Sequence, residues 1–168
     1  MEKSAITMFT YMFDDMRNET LKGIEHLSKE QLHKSPLDGE YPVGSYLMHL
    51  AECDIFWLEV LSGTEQSADL KEKCFYDKWF DPSQPPAPPV NPMALSEYRE
   101  VIDAARKNFI DYISKMKDSQ LEDEVLLKGK TKETTLQKKW IIYHLLEHEA
   151  HHRGQMFMLI RKAGWSKK

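Results

Sequence analysis

Apolar residues recur at intervals of three and four along four long stretches of this chain, and that spacing predicts four amphipathic helices. In residues 4–27 the stripe is Ile6, Phe9, Phe13, Met16, Thr20, Leu21 and Ile24, with Ser4 placed to cap the first turn. Residues 43–61 carry Tyr46, His49, Cys53, Phe56 and Val60 on one face, and Ser62-Gly63 ends the run. The third helix starts at Ser96 and runs through residue 116, turning Tyr98, Val101, Ile102, Ala105, Phe109, Tyr112 and Ile113 inward. The fourth opens on Thr134 with Gln137 three residues on, a capping-box pattern, and closes at Gly164. Between the long helices lie a short helical turn from Ser28 that ends before Pro36, and a small β-hairpin within 118–133 that turns at Gly129.

The link from 63 to 95 is different. It carries an aromatic group around Trp79 and Phe80, and six of the chain's 8 prolines fall between Pro82 and Pro92. Such a run predicts extended, polyproline-like chain. It reads as a stiff strap pinned by Trp79 and Phe80; a recognition motif for an aromatic-lined partner is the weaker alternative. No internal repeat or second composition appears, so 1–168 reads as one all-α domain, and a four-helix bundle is the economical architecture. The long link is able to traverse helices of roughly 27–40 Å, which lets the second and third helices run parallel.

Composition narrows the function mainly by exclusion. The 168 residues are 41% hydrophobic and 30% charged with a net charge of −4, an ordinary globular balance. Lysines and arginines are interspersed with acids, so there is no basic footprint for nucleic acid. No run reaches membrane-span length and the N-terminus has no signal-like apolar core, which points to a cytoplasmic protein without membrane partners. Two cysteines, Cys53 and Cys74, are too few for a disulfide framework and read as reduced thiols.

Chemistry concentrates in the fourth helix. Four of the 7 histidines lie between His144 and His152. Ile141, Leu145, His148, His152, Gln155, Met156 and Leu159 share one helical face, the face a helix otherwise buries. His148 and His152 are one turn apart, about 6 Å along the axis. Their imidazoles can therefore converge on one cation at bonds of about 2.0–2.1 Å, whereas a lone histidine on such a face is usually a hydrogen-bonded core residue. Metal sites in bundles are built from facing helices, which makes His49 the natural third ligand, provided the second and fourth helices are antiparallel. Three histidines leave a fourth position for water or a thiolate, and neutral imidazoles suit zinc or nickel, with copper also open. His144 and His151 read as outer or surface residues, and Cys53 as core despite its place one turn after His49. Glu149 falls at the stripe's edge, where a general-base role is open. Gly154, costly inside a helix, suggests a close approach to another helix or a ligand.

Residues 148–152 match H-E-x-x-H, the zincin protease pattern. The metzincin extension needs Gly and His where this chain has Gln155 and Met158, and residues 153–168 hold no Asp, Glu or His to act as a downstream ligand. A protease is disfavoured.

His49, then Trp57 eight residues on, then His148-x-x-x-His152-Arg153-Gly154-Gln155 together resemble the DinB/YfiT-like superfamily of metalloenzymes, over essentially the whole chain. The resemblance implies a four-helix bundle in up-down-down-up order and a divalent metal on His49, His148 and His152. It also implies a homodimer. Relatives include thiol S-transferases that use low-molecular-weight thiols such as bacillithiol, a mycothiol-dependent maleylpyruvate isomerase, and DNA-damage-induced proteins with no known reaction. The expectation is a metal-dependent transferase or hydrolase acting on a small-molecule substrate. The alternative is a non-catalytic metal-binding or structural stress-response protein. An interaction module built on the proline run ranks last.

Overall fold

A computed structural model describes residues 4–78, 91–129 and 132–167. It is mostly helical with one two-stranded sheet: α1 Ala5–Ile24, α2 Lys29–His33, α3 Val43–Ser62, α4 Ala68–Lys73, α5 Leu95–Ile113, a 3-10 turn Asp118–Glu122, β1 Glu124–Lys128, β2 Glu133–Gln137 and α6 Lys138–Lys162. The four long helices stand where the periodicity puts them. Gly63 and Gly164 close α3 and α6 in left-handed conformations, φ 67° and 72°, as terminal glycines do.

Several local expectations shift. Thr134 does not cap the last helix; Gln137 stands at the N-cap position of α6 with no side-chain capping bond. Residues 134–137 lie in β2, antiparallel to β1 in the register Leu127↔Thr134 to Glu124↔Gln137, because paired threonines suit a pleated strand better than a helix start. The helix begins one residue after the strand ends. α5 starts at Leu95, with Glu97 Oε2 accepting from the Ala94 N–H at 2.6 Å, so Ser96 lies inside the first turn. The 63–95 link holds a short helix, α4, whose start is capped by Ser67. Trp79, Phe80 and the prolines from Pro82 to Pro89 lie outside the described residues.

The core is split into two apolar clusters. One gathers Leu21 and Ile24 of α1, Leu47, Met48 and Ala51 of α3, Tyr98 and Ile102 of α5, and Met156 and Leu159 of α6. The other gathers Ile6 and Phe13, Leu58 and Leu61, Phe109 and Ile113, and Ile141 and Leu145 from the same four helices. In each helix one buried charged residue sits in sequence between the two sets: Arg17, Asp54, Arg106 and Glu149. All four are buried, and together they form a neutral ion cluster. Charges this deep are tolerated only when paired and hydrogen-bonded.

Contacts fix how α3 lies on α6. Tyr46 meets His152, His49 meets His148, and Trp57 meets Trp140, so positions ascend on one helix as they descend on the other. The two helices are antiparallel, as a shared site on His49 and His148 requires. Two glycines allow close helix approaches. A Cβ at Gly44 would overlap Tyr98, and one at Gly23 would overlap Phe157. Gly154 has nothing within 4 Å of such an atom, so the close approach expected there is absent among the described residues. No helix is long and apolar enough to cross a membrane among those residues.

Candidate metal centre

α3 buries more of its surface than one stripe. Its inward side is Leu47, Leu50, Ala51, Asp54, Ile55, Leu58 and Leu61, which shifts the Tyr46-His49-Cys53-Phe56-Val60 line to the helix edge. Tyr46 is buried on that line, His49, Cys53 and Val60 are half-buried, and Phe56 is exposed. The reading of that line as the core face is corrected. Cys53 packs against the second apolar cluster, and its sulfur also lies beside imidazole nitrogens, the coordinating alternative that its place one turn after His49 left open. The line faces the His148-His152 edge of α6, and four side chains meet there.

His152 Nε2 lies 3.1 Å from His148 Nε2. The His49 ring centroid is 5.0 Å from each of the other two. Cys53 Sγ is 3.7 Å from His49 Nε2 and 3.8 Å from His148 Nε2. Ligand atoms of His49, Cys53 and His148 all fall within 4.8 Å of one another. Thus two of the three histidines singled out by sequence, His49 and His148, form this group with Cys53, and His152 adjoins it through His148 Nε2.

Neighbours three residues along each helix fix the ring orientations. His49 Nδ1 is 3.1 Å from Glu52 Oε2, and His152 Nδ1 is 2.7 Å from Gln155 Oε1. Both partner oxygens accept, so Nδ1 carries the proton and Nε2 presents its lone pair to the cluster. Metal-ligating histidines are oriented in this way. Burial, reinforced by the neighbouring rings, holds His148 at a pKa of about 3. Burial and His49 hold His152 at about 4, against an opposing push from Gln155. These two imidazoles are therefore neutral at pH 7, the form that coordinates. Burial, then the Glu52 and Asp54 carboxylates, push the Cys53 thiol above its ordinary range. A dication reverses that direction for a coordinating thiol. The residues present fit a divalent ion with mixed nitrogen and sulfur ligands.

The surroundings explain the remaining histidines. His144 stacks on Trp140 at 4.8 Å with the rings 6° from parallel, and Trp57 meets it edge-on. His151 is exposed. Glu149 turns to the opposite side of α6. Its Oε1 accepts from Arg17 Nε at 3.0 Å and Thr20 Oγ1 at 3.0 Å, and its Oε2 accepts from Arg106 Nη2 at 2.8 Å. Burial alone would raise its pKa, but Arg17 and Arg106 hold it at about 2. A carboxylate so occupied makes a poor general base, which removes the role left open for it and the last feature of a zincin. Sequence reasoning missed Arg17, Asp54, Arg106 and Glu52. A charge at an inward helical position was the available signal for the first three, and H-x-x-E spacing for the fourth.

Fold and site together give a helical protein with a histidine–cysteine group that could hold a metal ion. A family model described as the DinB superfamily matches residues 12–156, and the chain belongs to that superfamily. Solved structures resemble it over nearly their whole length at low identity. A conserved protein from Enterococcus faecalis superposes with TM-score 0.73 at 13% identity, covering 95% of this chain and 96% of that one. A DinB-like protein from Bacillus cereus gives 0.67 at 18%, covering 98% and 95%. One from Bacillus subtilis gives 0.60 at 16%, covering 96% and 99%. No curated protein matches the chain.

Proposed function

We propose that this protein binds zinc or nickel through His49, His148 and His152 and works as a metal-dependent transferase of the thiol S-transferase type, or as a hydrolase. The observation that carries the proposal is the meeting of three imidazoles from two helices, two of them with Nδ1 already held by Glu52 and Gln155. A divalent ion supplies Lewis acidity there, which makes a thiol or water nucleophilic near neutral pH. A low-molecular-weight thiol such as bacillithiol would give its proton to solvent, its sulfur would bond to an electrophilic carbon of a small substrate, and the leaving group would depart with its electron pair. Glu52 and Gln155 orient the rings; Glu149, spent on arginines, takes no part in proton transfer.

The framework for this site is a four-helix bundle in up-down-down-up order. Its support is the composition of the two apolar clusters: one takes the C-terminal parts of α1 and α6 and the N-terminal parts of α3 and α5, and the other takes the reverse. A homodimer belongs to the same proposal. Exposed Met12 and Tyr143 lie along a groove between α1 and α6, and light scattering at two copies per particle is the expected result.

Metal-loaded and metal-stripped protein, incubated with bacillithiol and a panel of electrophiles, test the activity by loss of free thiol. Consumption that needs the metal and disappears in His49→Ala supports the transferase. A second reading, a metal-binding or structural stress-response protein without turnover, draws on Tyr46, which is buried with its ring 5.6 Å from His152. No thiol consumption with any metal favours it.

A further inference from the structure

Cys53 stands one turn beyond His49 on α3, and its sulfur faces nitrogen on two sides. Bonds of about 2.0–2.1 Å to nitrogen and about 2.3 Å to sulfur set tetrahedral edges of about 3.3 Å between two nitrogens and about 3.6 Å between nitrogen and sulfur. The observed separations are 3.1 Å for His148 Nε2 to His152 Nε2, and 3.7 and 3.8 Å from Cys53 Sγ to His49 and His148. Each lies within a few tenths of an ångström of the edge it would span. The other cysteine, Cys74, has its Sγ 3.4 Å from the Lys71 carbonyl oxygen, an ordinary helical contact.

We infer that Cys53 supplies a thiolate as a fourth ligand, so that the resting centre is held by three imidazoles and one sulfur rather than by three imidazoles and an open position. The inference rests on the metal reading above. On binding, the Cys53 thiol gives its proton to solvent and its sulfur shares an electron pair with the ion. The charge of the site falls from +2 to +1, and a soft donor joins the imidazoles, which favours zinc over harder ions. A substrate thiol must then take the place of Cys53, one sulfur for another. Cys53 thereby guards the position at which the proposed reaction takes place.

Cobalt(II) added to the full-length, metal-free protein tests this without any activity assay. Tetrahedral cobalt gives visible ligand-field bands, and a thiolate ligand adds a near-ultraviolet sulfur-to-cobalt charge-transfer band. The wild type is expected to show both, and so is Cys74→Ser. Cys53→Ser and Cys53→Ala are expected to keep the visible bands and lose the charge-transfer band, and added 2-mercaptoethanol is expected to restore it. Visible bands without a sulfur band in the wild type would overturn the role of Cys53 while leaving the histidine site standing. A sulfur band that survives in both Cys53 variants would also overturn it. No cobalt bound by the wild type would remove the metal reading itself.

Discussion

Arg17 grips Glu149 through two nitrogens at once, Nε 3.0 Å from Oε1 and Nη2 3.2 Å from Oε2, across 132 residues of sequence. Arg106 adds a third bond to the same carboxylate and joins it to Asp54, with Nε 2.9 Å from Oδ2 and Nη2 3.0 Å from Oδ1. Arg17 also donates to the Ile102 carbonyl oxygen at 3.0 Å, and Arg106 lies over the Phe13 ring at 4.6 Å. One charge from each long helix is thus tied into a layer between the two apolar clusters. The cluster sits directly behind the histidine edge of α6 and sets how that helix is rotated.

Removing Glu149 leaves two buried arginines sharing the single carboxylate of Asp54, with one positive charge uncompensated. Glu149→Gln is expected to lower the unfolding free energy by about 3–5 kcal/mol, the usual cost of breaking a buried ion pair from one side. Denaturant titration at neutral pH measures it. A loss below about 1 kcal/mol, the range of exposed pairs, would contradict the burial assigned to this cluster.

The same carboxylate predicts an acid limb of stability. Its folded pKa of about 2 is depressed from the ordinary 4.5, so the unfolded chain takes up the proton first as pH falls. The stabilisation is fully present above about pH 4.5 and is lost progressively down to about pH 2, amounting to about 3 kcal/mol from this one group. Unfolding curves from pH 6 to pH 2 are expected to show that decline, and to lose this component in Glu149→Gln. An unchanged acid slope in the variant would place the linkage elsewhere.

Two glycines in helices should respond oppositely to alanine. At Gly44 the new methyl would meet fully buried Tyr98, which has no room to move, so Gly44→Ala is expected to cost about 1–3 kcal/mol. At Gly154 nothing lies within 4 Å, and alanine is the better helix former by about 1 kcal/mol, so Gly154→Ala should be neutral or stabilising. Thermal melts of the metal-free proteins separate the two. A strongly destabilised Gly154→Ala would show that the open space beside it is occupied in solution.

Glu52 links the centre to the turn after α4. Its Oε2 meets His49 Nδ1, while its Oε1 accepts from the Asp77 N–H at 2.7 Å, where Asp77 holds φ 58°. Glu52→Ala is expected to weaken metal binding about 10–100-fold, as loss of a partner orienting a ligand histidine does. Competition against a chelator measures it. Wild-type affinity in the variant would make Glu52 a turn anchor only.

Much of this was legible in the sequence. Helical periodicity located four long helices, and Gly63 and Gly164 located two of their ends, because both signals are local. The histidines were legible because His148 and His152 interrupt an apolar stripe one turn apart. What escaped was set by tertiary contact. Arg17, Asp54 and Arg106 occupy core positions where a charge looks wrong until its partners on other helices are known. The His49-Cys53 line looked like the buried face of α3, but α3 is apolar almost all round, so periodicity could not choose which side meets the core. Thr134–Gln137 carry a helix-cap pattern that pairing with β1 overrides.

Metal content tests the central claim most directly. Protein purified without an affinity tag is analysed for bound metals beside His148→Ala and His49→Ala. About one equivalent of zinc or nickel per chain in the wild type, lost in both variants while their helical circular dichroism is retained, is the predicted result. No metal in the wild type even after reconstitution, or equal metal in the variants, would contradict it and leave the histidine cluster as packing alone.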